Sequence, residues 1–205
     1  MKCGIVGLPN VGKSTLFNCL SNAKALAANY PFATIEPNVG IIPVPDKRLE
    51  QLSKMINPKN VQAAIVEILD IAGLVKGASK GEGLGNKFLA NIRETNAIIH
   101  VLRCFEDANV THVDGIVNPV KDKETVDIEL QFKDLETLEK KKDSLKRLVN
   151  TGDKKALREL EIIDGYYNHI KSGNSARSLH IDGDDCILNL NLLTNKPVLY
   201  VCNVD

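Results

Sequence analysis

Residues Gly7-Leu8-Pro9-Asn10-Val11-Gly12-Lys13-Ser14 follow the spacing GxxxxGK[ST] and stand between an apolar run, Cys3–Gly7, and a stretch with helical spacing, Lys13–Ser21. Such a segment leaves few folds open, because the loop works only where a strand hands over to a helix. Its glycines let backbone N–H groups point inward around phosphates. Lys13 then reaches the β- and γ-phosphates, and the Ser14 hydroxyl is set to bind Mg²⁺ at the helix N-terminus. The nucleotide-binding candidates are therefore Gly7, Asn10, Val11, Gly12, Lys13, Ser14 and Thr15, with Lys13 also the catalytic cation. Asn10 has two readings: it supports the loop turn, or its side-chain oxygen faces a K⁺ between the phosphates.

The remaining pattern agrees with that start. Cys3–Gly7, Val39–Val44, Ala64–Asp70 and Ala97–Arg103 read as strands, and Lys13–Ser21, Asp46–Ile56 and Leu84–Thr95 carry helical spacing. Strand–helix alternation of this kind predicts an α/β fold, a P-loop nucleotide-binding domain with a mostly parallel sheet covered on both faces. Val39–Val44 follows a loop and is able to pair antiparallel with its neighbour. Pro197–Asn203 is a further strand after the break at Asn195-Lys196-Pro197.

The stretch 121–194 has another texture. From Glu124 to Val149, Val126, Leu130, Leu135, Leu138, Leu145 and Leu148 recur at helical spacings among Lys, Glu and Asp. Asn150-Thr151-Gly152-Asp153 interrupts the pattern, Asp153 is placed to cap a second helix, and Leu157, Leu160, Ile163 and Tyr167 carry it to about Ser172. This predicts an inserted antiparallel helical pair of coiled-coil type. The Lys-rich run near 140 is either a solvated face or a partner surface.

Asp70 ends a strand and opens Asp70-Ile71-Ala72-Gly73, the Asp-x-x-Gly by which P-loop enzymes hold Mg²⁺, usually through water, and sense the γ-phosphate. Gly73 is the nucleotide-binding residue of that motif, through its backbone N–H. Thr34, in the loop 30–37, is the candidate for a second hydroxyl on Mg²⁺. Both that loop and the Gly-rich stretch 77–85 suit order–disorder switching. Leu74 follows Gly73 where many GTPases carry a water-orienting Gln, so turnover is expected to be slow. The missing group is a cation at Asn10, a partner residue, or His112, the second catalytic candidate, whose alternative is an ordinary loop residue.

Composition narrows the rest. Over 205 residues, 26 Lys plus Arg balance 26 Asp plus Glu, which leaves no global field for nucleic acid or an anionic membrane. Sequence-specific DNA binding is not expected. The absence of Trp and the 4% aromatic content disfavour a base-stacking sheet. The five cysteines lack metal or disulfide spacing and read as buried thiols of a reducing compartment. With no signal-like apolar segment, the expected location is the cytoplasm.

On Gly7–Ser14, Asn29–Gly40, Asp70–Gly85, Asn91–Thr95 and Arg103–Pro119, the chain resembles the YchF/Obg-like family of P-loop NTPases related to translation factors. Arg103-Cys104-Phe105-Glu106-Asp107 and Thr111-His112-Val113-Asp114-Gly115 are similar to its YchF branch. The resemblance implies ATP preferred over GTP, with Asn203 near the base: Asn203-Val204-Asp205 has Val where guanine-specific members carry the Lys of Asn-Lys-x-Asp. It also implies ribosome binding and a helical insertion. The chain would then comprise an incomplete nucleotide domain over 1–120 and 195–205, the insertion over 121–194, and an expected C-terminal TGS domain beyond residue 205. The function so implied is a Mg²⁺-dependent, ribosome-associated ATPase acting as a nucleotide switch, by default a monomer. The alternatives are a nucleotide-gated interaction protein with incidental hydrolysis and an Obg-like GTPase.

Overall fold

A computed structural model describes residues 1–21, 39–71, 84–107, 110, 116–183 and 185–205. Among these residues, five strands form one sheet in the order β2-β3-β1-β4-β5: β1 (Lys2–Val6), β2 (Val39–Pro43), β3 (Ile65–Asp70), β4 (Ala97–Arg103) and β5 (Val198–Asn203). β1 pairs parallel with β3 and β4, and β4 with β5, while β2 runs antiparallel to β3. The sheet is therefore mixed and mostly parallel, with β2 reversed as the loop before Val39 allows.

β1 lies at the centre because Cys3-Gly4-Ile5-Val6 is apolar or small at every position, as a strand covered on both faces must be. Ile5 and Val6 are fully buried. They join Leu8, Val11, Ile68, Ile71, Leu89, Ile92, Ile98 and Val101 in one core. Helices α1 (Lys13–Ser21), which packs Leu16, Phe17 and Leu20 against it, and α3 (Leu84–Arg93), which supplies Leu89 and Ile92, flank that core. α2 (Lys47–Ile56) is capped by the Asp46 side chain at one end and by left-handed Asn57 at the other, yet buries none of its residues.

α4 (Pro119–Val149) and α5 (Lys154–Lys171) pack around a second core of Leu138, Leu145, Ile162, Ile163, Tyr166 and Ile170. Their cross-links run Glu139–Tyr167, Lys142–Asp164 and Lys141–Glu159, so the index falls on one helix as it rises on the other over most of the interface. The pair is antiparallel. α4 begins at Pro119 rather than Glu124, because the Asn118 side chain accepts from Lys121 N–H and Pro119 fills the first helical turn. The added turns matter: Val126 and Leu130 pack into the sheet core, so α4 serves both cores.

A buried polar junction joins the two. Asp134 on α4 is fully buried and accepts from the Leu193 and Thr194 N–H groups and from the Thr194 hydroxyl, at 2.7, 2.8 and 2.7 Å. Lys196 donates to the carbonyls of Arg93 and Thr95 at the end of α3. This fixes the chain's return from the helical pair into β5.

The thiols differ from the expectation that all are buried. All five cysteines are free; Cys3 is buried, but Cys19 and Cys202 are exposed and Cys104 and Cys186 are half-buried. Cys202 lies on β5, the strand at one edge of the sheet, where Leu199 and Tyr200 are exposed as well.

Candidate nucleotide site

The parallel register brings the C-terminal ends of the strands to one edge. Ile5 pairs with Asp70, Val6 with His100 and Arg103 with Asn203, so the loop after β1 opens beside Asp70 and below the end of β5. Crevices at this edge are where open α/β sheets bind ligands.

Residues 7–14 are held there from three sides. Leu8 and Val11 are buried in the sheet core and anchor the loop from below. Gly7 has φ +151° and lies against β4, where a Cβ would come within 2.5 Å of the Val101 carbonyl oxygen. Gly12 has φ +99°, and a Cβ there would meet the Asn203 Nδ2 at 2.5 Å. Asn10 takes φ +61°, a conformation that Asn tolerates better than most residues. The Asn203 amide donates to the Val11 carbonyl at 3.1 Å, and the Asn203 carbonyl accepts from Cys104 N–H at 2.8 Å. The end of β5 thus braces the loop.

Lys13 is 8% exposed, and its Nζ donates to the Leu8 carbonyl at 2.6 Å across the loop. Burial pushes its amine below the ordinary lysine range, and the charge of Asp70 opposes that shift. A buried cation tied to one neutral carbonyl is suited to charge-assisted bonds with an anion. Beside it the Ser14 hydroxyl donates to Asp70 Oδ2 at 3.2 Å. A hydroxyl and a carboxylate oxygen at this separation are the hard donors that Mg²⁺ takes, and the carboxylate is placed to hold a metal-bound water. The residues fit the ion. Thr15 is exposed on the first turn of α1.

Lys13, Ser14, Asp70 and Asn203 are therefore brought together with the loop Gly7–Gly12. Thr34, Gly73, Leu74 and His112 lie outside the described residues. Sequence reasoning missed Arg103. Its side chain is 2% exposed, and it donates to the carbonyls of Phe105, Asp107 and Val110 at 3.2, 3.2 and 3.0 Å, with its guanidinium 4.6 Å from the Phe105 ring centre. The available signal was a lone arginine closing an apolar strand.

A phosphate-binding loop on β1, a carboxylate at the end of β3 and an amide from β5 define a P-loop nucleotide-binding domain of the GTPase type. The family model described as 50S ribosome-binding GTPase matches residues 2–155, and the chain belongs to that family. Within it the resemblance is to YchF. Proteins named ribosome-binding ATPase YchF are 52% identical in Haemophilus ducreyi and in Bacillus subtilis, each covering 100% of this chain and 57% and 56% of the relative. The solved structure of the Schizosaccharomyces pombe YchF GTPase matches with a TM-score of 0.83 at 40% identity, over 100% of this chain and 57% of that one. The chain thus spans rather more than half the length of these relatives.

Proposed function

We propose that this chain is the nucleotide-binding part of a Mg²⁺-dependent hydrolase that cleaves the γ-phosphate of ATP, in preference to GTP, and acts as a nucleotide switch on the ribosome. The observation that carries the reading is the meeting of Lys13, Ser14 and Asp70 at the N-terminus of α1. Lys13 exchanges its loop carbonyl for phosphoryl oxygens, and the backbone N–H groups of the loop share their developing charge. Ser14, Thr34 and Asp70, the last through water, are the residues to hold Mg²⁺. When bound, the ion supplies charge neutralisation on the β- and γ-phosphates.

Gly73 is assigned to the γ-phosphate, K⁺ to the neighbourhood of Asn10, and the positioning of water to His112, since Leu74 has no polar group for that task. Turnover is accordingly slow without a partner. Asn203 is read as lying near the base while it braces the loop. The domain division proposed is 1–120 with 195–205 for the nucleotide domain and 121–194 for the helical insertion, supported by a second core that lies wholly within 121–194, while Val126, Leu130 and Leu193 tie the insertion to the sheet core. A C-terminal TGS domain is expected in the longer protein, in keeping with the share of the relatives that this chain spans. Ribosome binding is supported by the names of those relatives. A cytoplasmic monomer is the remaining expectation; among the described residues, no helix is long and apolar enough to cross a membrane.

ATP preference has a rival, because the solved Schizosaccharomyces pombe relative is named a GTPase. Titrating fluorescent ATP and GTP against the longer protein in Mg²⁺ decides it. Tighter ATP binding is expected, and equal or tighter GTP binding overturns the preference.

A further inference from the structure

β4 is apolar except at His100 until its last residue, Arg103, which is buried with the strand. Among the described residues, the hydrogen bonds of this guanidinium go to main-chain carbonyls of the segment that follows it. Nε donates to Phe105, Nη2 to Asp107 and Nη1 to Val110, at 3.2, 3.2 and 3.0 Å. The Phe105 ring covers one face of the same group, with its centre 4.6 Å from Cζ. A buried cation shared among three carbonyls of one short stretch acts as a frame, because the planar fork fixes where each carbonyl must lie. Glu106 and Asp107 are exposed, so apolar burial does little to hold this stretch.

The framed stretch starts from backbone that is itself registered on the phosphate loop. Cys104 N–H donates to the Asn203 carbonyl at 2.8 Å, and the Asn203 amide donates to the Val11 carbonyl at 3.1 Å. Two residues before Arg103, the Val101 carbonyl oxygen lies where a Cβ on Gly7 would come within 2.5 Å of it. Residues 105–110 are thus placed relative to residues 7–12 through the end of β4. In the sequence, His112 follows Val110, the last carbonyl in the frame, by two positions.

We propose that Arg103 is a positioning residue for hydrolysis: by framing 105–110 on the end of β4, it sets His112 for the water that attacks the γ-phosphate. The proposal rests on the assignment of water positioning to His112 above. Arg103 acts through the loop and not on the phosphates, since Nε, Nη1 and Nη2 each already donate to a carbonyl and the side chain is buried. A group displaced by about an ångström from the reacting atoms loses much of its effect on rate, while the contacts that bind the nucleotide are kept. Loss of the frame therefore shows in the rate and not in ATP affinity. Lysine keeps the charge but ends in a single nitrogen, which cannot reach carbonyls spread from 105 to 110.

The test uses the longer protein as wild type, Arg103→Lys, His112→Ala and the two combined. Hydrolysis at saturating ATP and Mg²⁺ is followed by single-turnover release of labelled phosphate, and ATP affinity by titration of a fluorescent analogue. Melting temperatures check folding, and every assay is run well below them. Where Arg103→Lys fails to fold, Phe105→Leu takes its place, alone and with His112→Ala, because it strips the ring from the guanidinium and keeps an apolar side chain.

Arg103→Lys is expected to slow hydrolysis about tenfold or more with ATP affinity held within about twofold, and to add nothing to His112→Ala. A folded variant that hydrolyses at the wild-type rate overturns the proposal. So does ATP affinity that falls in step with the rate, which would make Arg103 a prop of the binding site at large. A double variant slower than His112→Ala by the full factor of the Arg103 substitution shows action by another route. That result overturns the proposal and leaves the His112 reading standing. Wild-type hydrolysis by His112→Ala instead sinks the His112 reading, and the proposal with it.

Discussion

The side-chain amide of Asn203 donates to the main-chain carbonyl of Val11 at 3.1 Å, joining the last strand of the sheet to the phosphate loop across 192 positions of sequence. Gly12 makes the approach possible, because a methyl group there would fall 2.5 Å from the same amide nitrogen. Asn203→Ala removes the bond and is expected to destabilise the loop by about 1 kcal/mol, weakening nucleotide binding about fivefold. Gly12→Ala adds backbone strain at φ +99° and displaces Asn203 as well. The two effects should therefore fall short of additive in a double-mutant cycle read by nucleotide affinity. Full additivity would show that the contact does not hold the loop.

Ser14 and Asp70 share a hydrogen bond and are assigned to one ion. Ser14→Ala is expected to raise the Mg²⁺ concentration needed for half-maximal hydrolysis about tenfold or more, while the melting temperature changes little, since Ser14 is exposed. A Mg²⁺ titration of phosphate release checks this, and an unchanged midpoint would remove Ser14 from the metal site.

Asp134 holds the return from the helical pair through three donors. Asp134→Ala leaves them without a partner in a buried place, at a cost of about 3 kcal/mol. A clear fall in the urea midpoint is expected. An unchanged midpoint would mean that the junction is dispensable.

His100 on β4 is 2% exposed, its Nε2 has no partner among the described residues, and its ring lies 5.6 Å from that of Tyr200. Burial lowers its pKa to about 4, with Asp127 and Asp122 opposing and Lys123 and Arg177 reinforcing the shift. An unfolded histidine takes up its proton near pH 6.5, whereas the folded one refuses it until about pH 4. Stability is therefore full above pH 6.5 and falls as the pH drops toward 4, by about 3 kcal/mol from this group. Urea unfolding across that range should lose this component in His100→Leu; an identical pH profile would assign the acid sensitivity elsewhere.

Much of this architecture was legible because its signals are local. The loop Gly7–Ser14, the strand ending at Asp70 and the break at 150–153 each declare themselves within a few residues. The reversal of β2 was open in the sequence, since either pairing direction suits Val39–Pro43, and the register with β3 decides it. The start of α4 was readable at Asn118-Pro119 but lay ahead of the apolar pattern that drew attention to Glu124. Arg103, Asp134 and the brace by Asn203 depend on partners that only the fold brings near, and local spacing carries no trace of them.

The most direct measurement is calorimetric titration of ATP into the wild type and the Lys13→Ala variant, each with and without Mg²⁺. Lys13 is the one buried cation at the loop among the described residues, and a charge-assisted bond of this kind is worth about 1.5–3 kcal/mol. The expected result is Mg²⁺-dependent binding that Lys13→Ala weakens by about tenfold or more. Equal affinity in both proteins, with or without Mg²⁺, would contradict a nucleotide site at Gly7–Ser14.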